Sequence, residues 1–218
     1  MVTQRGAGSN MRTLEITTKT ALVRSRIPGA AYVINPYTGC SHGCRYCYAV
    51  FMRRYSRQHQ AWPWGSFVEV KTNIAQVLRR ELTRKRRSTT AMLSSVCDPY
   101  QPVEARYRLT RACLEVLREY GWGIEILTRS PLVTRDLDLL RTCFDVTVGF
   151  SIPTDDDRVR AVLEPMAPPI PERLAALRDV HAAGIRTWVF VAPILPMNPD
   201  ALVAAVLPHI DHALVDRS

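Results

Sequence analysis

An α/β fold, built as a parallel sheet covered by helices, is predicted by three features of this 218-residue chain. Short strand candidates alternate with segments of helical periodicity, the strands are apolar along their whole length, and one strand end after another carries polar or loop-forming residues. Alternating strands and helices produce parallel neighbours, and strands buried on both faces lose the polar residue at every second position.

The elements follow in order. Residues 1–30 are polar and irregular, with Met11 as an alternative start, and read as an extension ahead of one core domain, residues 31–218. Residues 31–35 read as a first strand, 48–58 as a helix following a cysteine cluster, and 72–86 as a helix with Ile74, Val77, Leu78 and Leu82 at helical spacing. An apolar strand over 91–96 comes next, then a helix over 103–120, strand 124–128, helix 131–142 and strand 146–150. Helix 171–183, strand 187–191, helix 199–209 and strand 213–215 complete the run.

Six such strands are too few for a closed eight-stranded barrel of ~250 residues, which leaves a partial barrel or an open doubly wound sheet. Both put a site at the carboxyl ends of the strands. The polar residues agree: Cys40 to Cys47 follow the first strand, Asp98 to Glu104 the second, and Arg129 and Ser130 the third, while Ser151 ends the fourth and Pro193 to Pro196 the fifth. The opposite turns carry only punctuation such as Gly121 and Gly184.

Composition narrows the class. With 47% hydrophobic and 22% charged residues the chain can bury a globular core. No apolar run approaches the ~18 residues of a membrane span, and the N-terminus lacks the apolar stretch of a secretory signal, so a cytoplasmic location without membrane contact is expected. The net charge of +9 favours polyanions such as nucleic acid. Much of it lies in Arg53, Arg54 and Arg57 and in Arg79, Arg80, Lys85, Arg86 and Arg87, which also read as solvated helix faces. Three of the six cysteines fall within eight residues, and a chain this long needs no disulfide staples, so reduced thiolates are expected.

Those three, Cys40, Cys44 and Cys47, are spaced Cys-x-x-x-Cys-x-x-Cys. Soft thiolates at short intervals select zinc or an iron–sulfur centre. A [4Fe–4S] cube held by three cysteines leaves one iron open to chelate a cofactor. In the zinc alternative His42 completes a Cys3His set, although four ligands within eight residues strain a tetrahedral site. Gly39 and Gly43 suit a loop wrapped closely round a bulky centre.

The stretch, with its aromatic residue before the last cysteine, resembles the signature of the radical S-adenosylmethionine (SAM) superfamily. Asn35-Pro-Tyr-Thr-Gly-Cys40, Tyr46-Cys47-Tyr48-Ala49, Asp98-Pro-Tyr-Gln-Pro-Val-Glu104, Leu127-Thr-Arg-Ser130 and Leu163-Glu-Pro165 resemble its spore photoproduct lyase-like branch, from about residue 20 to the end. The resemblance implies a TIM-like partial (β/α)6 barrel and a [4Fe–4S] cluster on Cys40, Cys44 and Cys47. It implies SAM on the open iron, cleaved reductively to methionine and a 5′-deoxyadenosyl radical that abstracts hydrogen from substrate. A flavodoxin- or ferredoxin-type reductant and a nucleic-acid lesion are the implied partner and substrate.

The same resemblance places Tyr46 near the adenine, Arg129 and Ser151 on the SAM carboxylate, and Asp98 on the methionine ammonium. Asp98 before Pro99 also starts a turn, and Glu104 also suits a helix start. The lyase itself uses a strand cysteine as hydrogen donor, in a segment aligned with Ser95 to Asp98. Here serine takes that position, so Cys97, two residues on, becomes the donor candidate; its other reading is an inert buried thiol, like Cys113 and Cys143. Relatives continue beyond the sixth strand with a covering segment, so the chain is read as a minimal core or a truncated product. The rival class is a non-enzymatic iron–sulfur or zinc protein that binds nucleic acid through its arginines.

Overall fold

The computed structural model describes residues 11–55, 61–85 and 89–216. Arg57, Arg86 and Arg87, the last residues of the helices expected over 48–58 and 72–86, residues 1–10 and residues 217–218 lie outside the described residues.

Two short strands come first, Arg12–Ile16 (β1) and Leu22–Arg24 (β2), followed by Tyr32–Ile34 (β3), Tyr37–Thr38 (β4) and a 3-10 helix over Tyr48–Tyr55. Phe67–Lys71 (β5), Ile74–Leu82 (α1), Thr90–Leu93 (β6), Glu104–Tyr107 (α2), Leu109–Glu119 (α3) and Gly123–Thr128 (β7) follow. A 3-10 turn over Pro131–Asp136 runs into Leu137–Leu140 (α4), then come Asp145–Ser151 (β8), Asp157–Leu163 (α5) and Ile170–Ala182 (α6). Arg186–Val191 (β9), Pro199–Val206 (α7), a 3-10 turn over Leu207–His209 and His212–Val215 (β10) close the fold.

The main sheet has the order β10-β9-β8-β7-β6-β3-β2. Six strands, β3, β6, β7, β8, β9 and β10, lie side by side in chain order and pair in parallel; only β2, against β3, is antiparallel. A doubly wound sheet reverses its strand order at a switch point, and this one never does. The partial TIM-like barrel is therefore the architecture. Ile34, Leu93, Ile126, Val148, Phe150 and Val189 from the strands meet Ile74, Leu78, Leu114, Leu117, Leu177 and Val180 from the helices in one buried core. Each such side chain contributes roughly 1.5–3 kcal/mol.

The residues ahead of position 31 were expected to be irregular, and the structure corrects this. β1 pairs in parallel with β5, which also holds β4 antiparallel in a second, three-stranded sheet. No residue of β1 is fully buried, so its sequence lacks an apolar run. The single helix expected over 103–120 is two helices, because Arg108 is left-handed (φ +52°). Glu104 causes the break: its carboxylate folds forward to accept from the backbone N–H of Thr110 (2.9 Å) and Arg111 (3.3 Å), capping α3. The helix expected over 131–142 is a 3-10 turn and only one α-helical turn, and α5 is an additional helix.

Candidate active site

Cys40, Cys44, Tyr46, Cys47, Cys97, Asp98, Arg129 and Ser151 lie on the loops and strand ends at the carboxyl side of the parallel sheet, whereas Cys113 sits within α3 and Cys143 just ahead of β8. The cysteine loop leaves β4 and is fixed from behind. A Cβ on Gly39 (φ +87°) would sit 2.4 Å from the carbonyl oxygen of Phe67, and one on Gly65 would sit 2.9 Å from the Cα of Gly43. Backbone therefore touches backbone at two places, a distance only glycine allows. From the front, Gln101 donates to the carbonyl of Gly39 (3.1 Å) and accepts from the N–H of Ser41 (2.9 Å). Cys40 is buried, Cys44 and Cys47 are partly exposed, and all are free thiols. Burial pushes the Cys40 thiol up and takes that of Cys44 to about 11, against the lowering influence of Arg129. An iron or zinc centre reverses that cost by binding the thiolate.

His42 is turned away from the thiols. Its Nε2 lies 3.2 Å from Asp98 Oδ2 and its Nδ1 3.5 Å from the carbonyl of Met166, so both nitrogens face protein groups. Among the described residues no three His, Cys, Asp or Glu side chains are arranged to hold one metal ion. With both ring nitrogens of His42 directed at Asp98 and Met166, a Cys3His zinc site is disfavoured, whereas a cube would need only the three thiols, each at a different iron. The donor set is three thiols on a closely braced loop, which fits the cluster.

Asp98 has no oxygen to spare. Oδ1 accepts from Tyr100 N (2.8 Å) and Thr128 Oγ1 (2.6 Å), and Oδ2 accepts from Arg129 N (2.7 Å) and faces His42. Burial acts to raise this carboxyl, but His42, Thr128 and the Arg129 N–H prevail and hold it at about 2. The bond to Tyr100 N is the turn that Asp-Pro announced. The carboxylate locks the second strand end to the third and both to the cysteine loop.

Beside it lies a second ionic knot. Glu164, just after α5, accepts from Arg129 Nε at 2.8 Å, from the hydroxyl of Tyr46 and from Arg173 of α6. Arg129 also reaches the Tyr46 hydroxyl (3.3 Å), and Arg173 donates to the carbonyls of Ser151 (3.0 Å) and Pro168 (2.9 Å). Tyr46, Arg129 and the backbone carbonyl of Ser151 are thus linked through Glu164 and Arg173, of which the first figured only in a matching block and the second not at all. The hydroxyl of Ser151 is buried without a hydrogen-bond partner among the described residues. An orphaned hydroxyl at a strand end supports a ligand there.

On the β6 side, Ser94 leaves the strand with φ +64° and its Oγ lies 2.8 Å from Cys97 Sγ. Cys97 is 3.5 Å from the carbonyl of Tyr37, and burial pushes its thiol up to about 12. Cys113 is buried in the core and Cys143 packs against it. Tyr48 donates to the carbonyl of Ser95. Glu104 accepts from the Tyr37 hydroxyl and from Arg135 (2.8 Å), a structural role.

A partial barrel with a three-thiol loop at the end of its first strand defines a radical SAM protein, and the chain belongs to the Radical SAM superfamily, whose family model matches residues 34–206. An uncharacterized protein of Methanocaldococcus jannaschii is 34% identical over 188 residues, covering 86% of this chain and 70% of the relative. An uncharacterized protein of Mycobacterium tuberculosis is 38% identical over 197 residues, 86% of this chain and 57% of the relative. A protein of Pseudomonas phage M6 named radical SAM Nalpha-GlyT isomerase is 27% identical over 167 residues, 76% of this chain and 34% of its own. Among solved structures, a spore photoproduct lyase mutant with bound AdoMet and dinucleoside spore photoproduct superposes with a TM-score of 0.67 at 20% identity. It covers 94% of this chain and 62% of the lyase, and at that identity the likeness establishes the fold. The chain thus spans well under two thirds of its mycobacterial relative.

Proposed function

We propose that Cys40, Cys44 and Cys47 hold a [4Fe–4S] cluster with which the protein cleaves SAM reductively and abstracts hydrogen from a substrate, a nucleic-acid lesion being the class favoured by the lyase-like fold. The observation that carries this is the three-thiol loop, braced by Gly39 and Gly43 and left at three ligands because His42 faces Asp98 and Met166. When bound, the cluster supplies one electron and SAM the carbon radical; the protein's part is to aim and to shield. A flavodoxin- or ferredoxin-type reductant and a cytoplasmic setting belong to the same proposal. Among the described residues no helix is long and apolar enough to cross a membrane.

Within that reading Arg129, positioned by Glu164 at Nε and by Tyr46 at Nη2, would offer its remaining guanidinium N–H groups to the SAM carboxylate. Ser151 would offer its unused hydroxyl, and Tyr46 would contribute its ring to the adenine side of the site. Asp98, with its lone pairs engaged, aligns two strand ends and leaves the methionine ammonium to other groups. Cys97, partly buried and 2.8 Å from Ser94 Oγ, would be a protonated thiol at neutral pH as ordinary cysteines are, the form needed to pass a hydrogen atom to a carbon radical.

Anaerobic reconstitution with iron and sulfide, then dithionite and SAM, tests the proposal: 5′-deoxyadenosine is expected. Metal bound without that product discards the enzyme reading, and failure to regenerate thymines from a dinucleotide spore photoproduct discards the lesion.

A further inference from the structure

The cysteine loop leads into a face that the chemistry above leaves without a task. Along the 3-10 helix Tyr48–Tyr55 the rings of Tyr48, Phe51 and Tyr55 line one side, with centroids 6.3 Å apart between the first two and 6.4 Å between the last two. Tyr48 is 68% exposed, Phe51 40% and Tyr55 74%. Adjacent aromatic rings left in water mark a binding surface more often than isolated ones do. The row begins at the site, since the Tyr48 hydroxyl is anchored on the carbonyl of Ser95.

The charge along this stretch of the chain has one sign. The helix carries Arg53 and Arg54 with no acidic residue, and exposed Arg45 precedes it. Residues 16–68 hold seven Lys or Arg and no Asp or Glu, which is most of the chain's net +9.

We infer that this helix is a platform for an unpaired nucleic-acid strand, with bases stacking on Tyr48, Phe51 and Tyr55 and phosphates meeting Arg45, Arg53 and Arg54. Exposed rings alone would fit any apolar surface, and arginines alone any polyanion. Stacking faces combined with a cationic track are the chemistry of single-strand binding. A duplex keeps its base faces covered and gives these rings nothing to stack on. The inference rests on the proposed function only in the direction of the row, which leads a strand toward Ser95; binding itself needs neither SAM nor reduction.

Fluorescence anisotropy of a labelled oligothymidine tests it, with the full chain carrying its reconstituted cluster and a matched duplex as control. The single strand should bind more tightly than the duplex, Phe51→Ala and Tyr55→Ala should each weaken binding roughly 5-fold or more, and Tyr55→Phe should bind like the parent. Arg54→Gln should lower the log–log salt slope by about 0.7. Retained cluster absorption shows that each variant is folded. Equal binding of duplex and single strand, or alanine variants that bind like the parent, overturns the inference. So does loss of reduction by flavodoxin in those variants with oligonucleotide binding intact, which would assign the face to the electron donor. Failure of the radical SAM reading shows separately, as absence of 5′-deoxyadenosine whatever the anisotropy.

Discussion

Glu164 and Arg173 form an ion pair in which both side chains are fully buried. Such a pair costs more to break than it contributed in forming, because the surviving charge is left without water or a partner. Glu164→Gln should therefore lower unfolding stability by about 3–5 kcal/mol in a urea titration. Because Glu164 also holds Tyr46 and Arg129, the variant should bind SAM more weakly even where it is folded, measured by calorimetry on reconstituted protein. Unchanged SAM affinity would separate the knot from the cofactor.

The same pair gives a pH dependence of definite sign. Burial acts to raise the Glu164 carboxyl, but Arg129 and Arg173 outweigh it and hold the group at about 2, below its ordinary 4.5. The folded protein then binds this proton less readily than the unfolded chain. The stabilisation is complete above 4.5 and is lost as pH falls through that value toward 2. Urea midpoints should decline over this window, and the Glu164→Gln variant, already lacking the charge, should decline less steeply.

Arg173 shows why the sequence hid this knot. It shares the buried face of α6 with Ile170, Leu177 and Val180, so an arginine stands at a position where spacing demands an apolar residue. That misplaced charge was the available signal; its partner is nine residues back and reveals itself only when α5 and α6 pack. The parallel strands were legible because burial on both faces makes them apolar throughout. β1 and β2 were not, since three to five half-buried residues carry no such run. The break at Arg108 was hidden by helical periodicity that runs through it: it depends on where the Glu104 carboxylate lands. The three-thiol loop was legible from its spacing, whereas the engagement of every Asp98 oxygen required knowing that Thr128 and Arg129 end the neighbouring strand.

Asp98 is best separated from a cofactor role by an isosteric change. Asp98→Asn keeps the shape but replaces one acceptor oxygen with a donor group, against the N–H of Arg129 or the hydroxyl of Thr128. Leaving a buried donor unsatisfied costs about 1–3 kcal/mol. A structural bracket predicts that loss in the unfolding midpoint together with SAM affinity close to the parent's. A large fall in SAM affinity with stability retained would restore Asp98 to the ligand set.

Gly39 offers a test of the loop without touching a thiol. An alanine there must hold φ at +87° and push its Cβ against the backbone carbonyl of Phe67, so neither rotation nor side-chain movement relieves it. Strain of this kind costs roughly 1–3 kcal/mol. Gly39→Ala should lower bound iron and sulfide per chain after reconstitution, and Gly121→Ala, at a turn with nothing within 4 Å of its Cβ, should not. Equal loading in both variants would show that the loop's contact with β5 does not position the cluster.

The thiols themselves divide by place. Cys40, Cys44 and Cys47 share the braced loop, whereas Cys97 sits beyond β6 with its sulfur against Ser94 and Tyr37. Replacing any of the first three by alanine should abolish the visible absorption of the reconstituted protein, because a cube deprived of one thiolate exposes a second iron to solvent. Cys97→Ala should keep the absorption and the release of 5′-deoxyadenosine, and lose only the final hydrogen return to substrate. If Cys97→Ala turns over substrate at the parent rate, the thiol is packing, and the hydrogen comes from elsewhere on the face. If instead it bleaches the cluster, the sulfur lies closer to the metal than the loop geometry allows, and the three-ligand assignment fails with it.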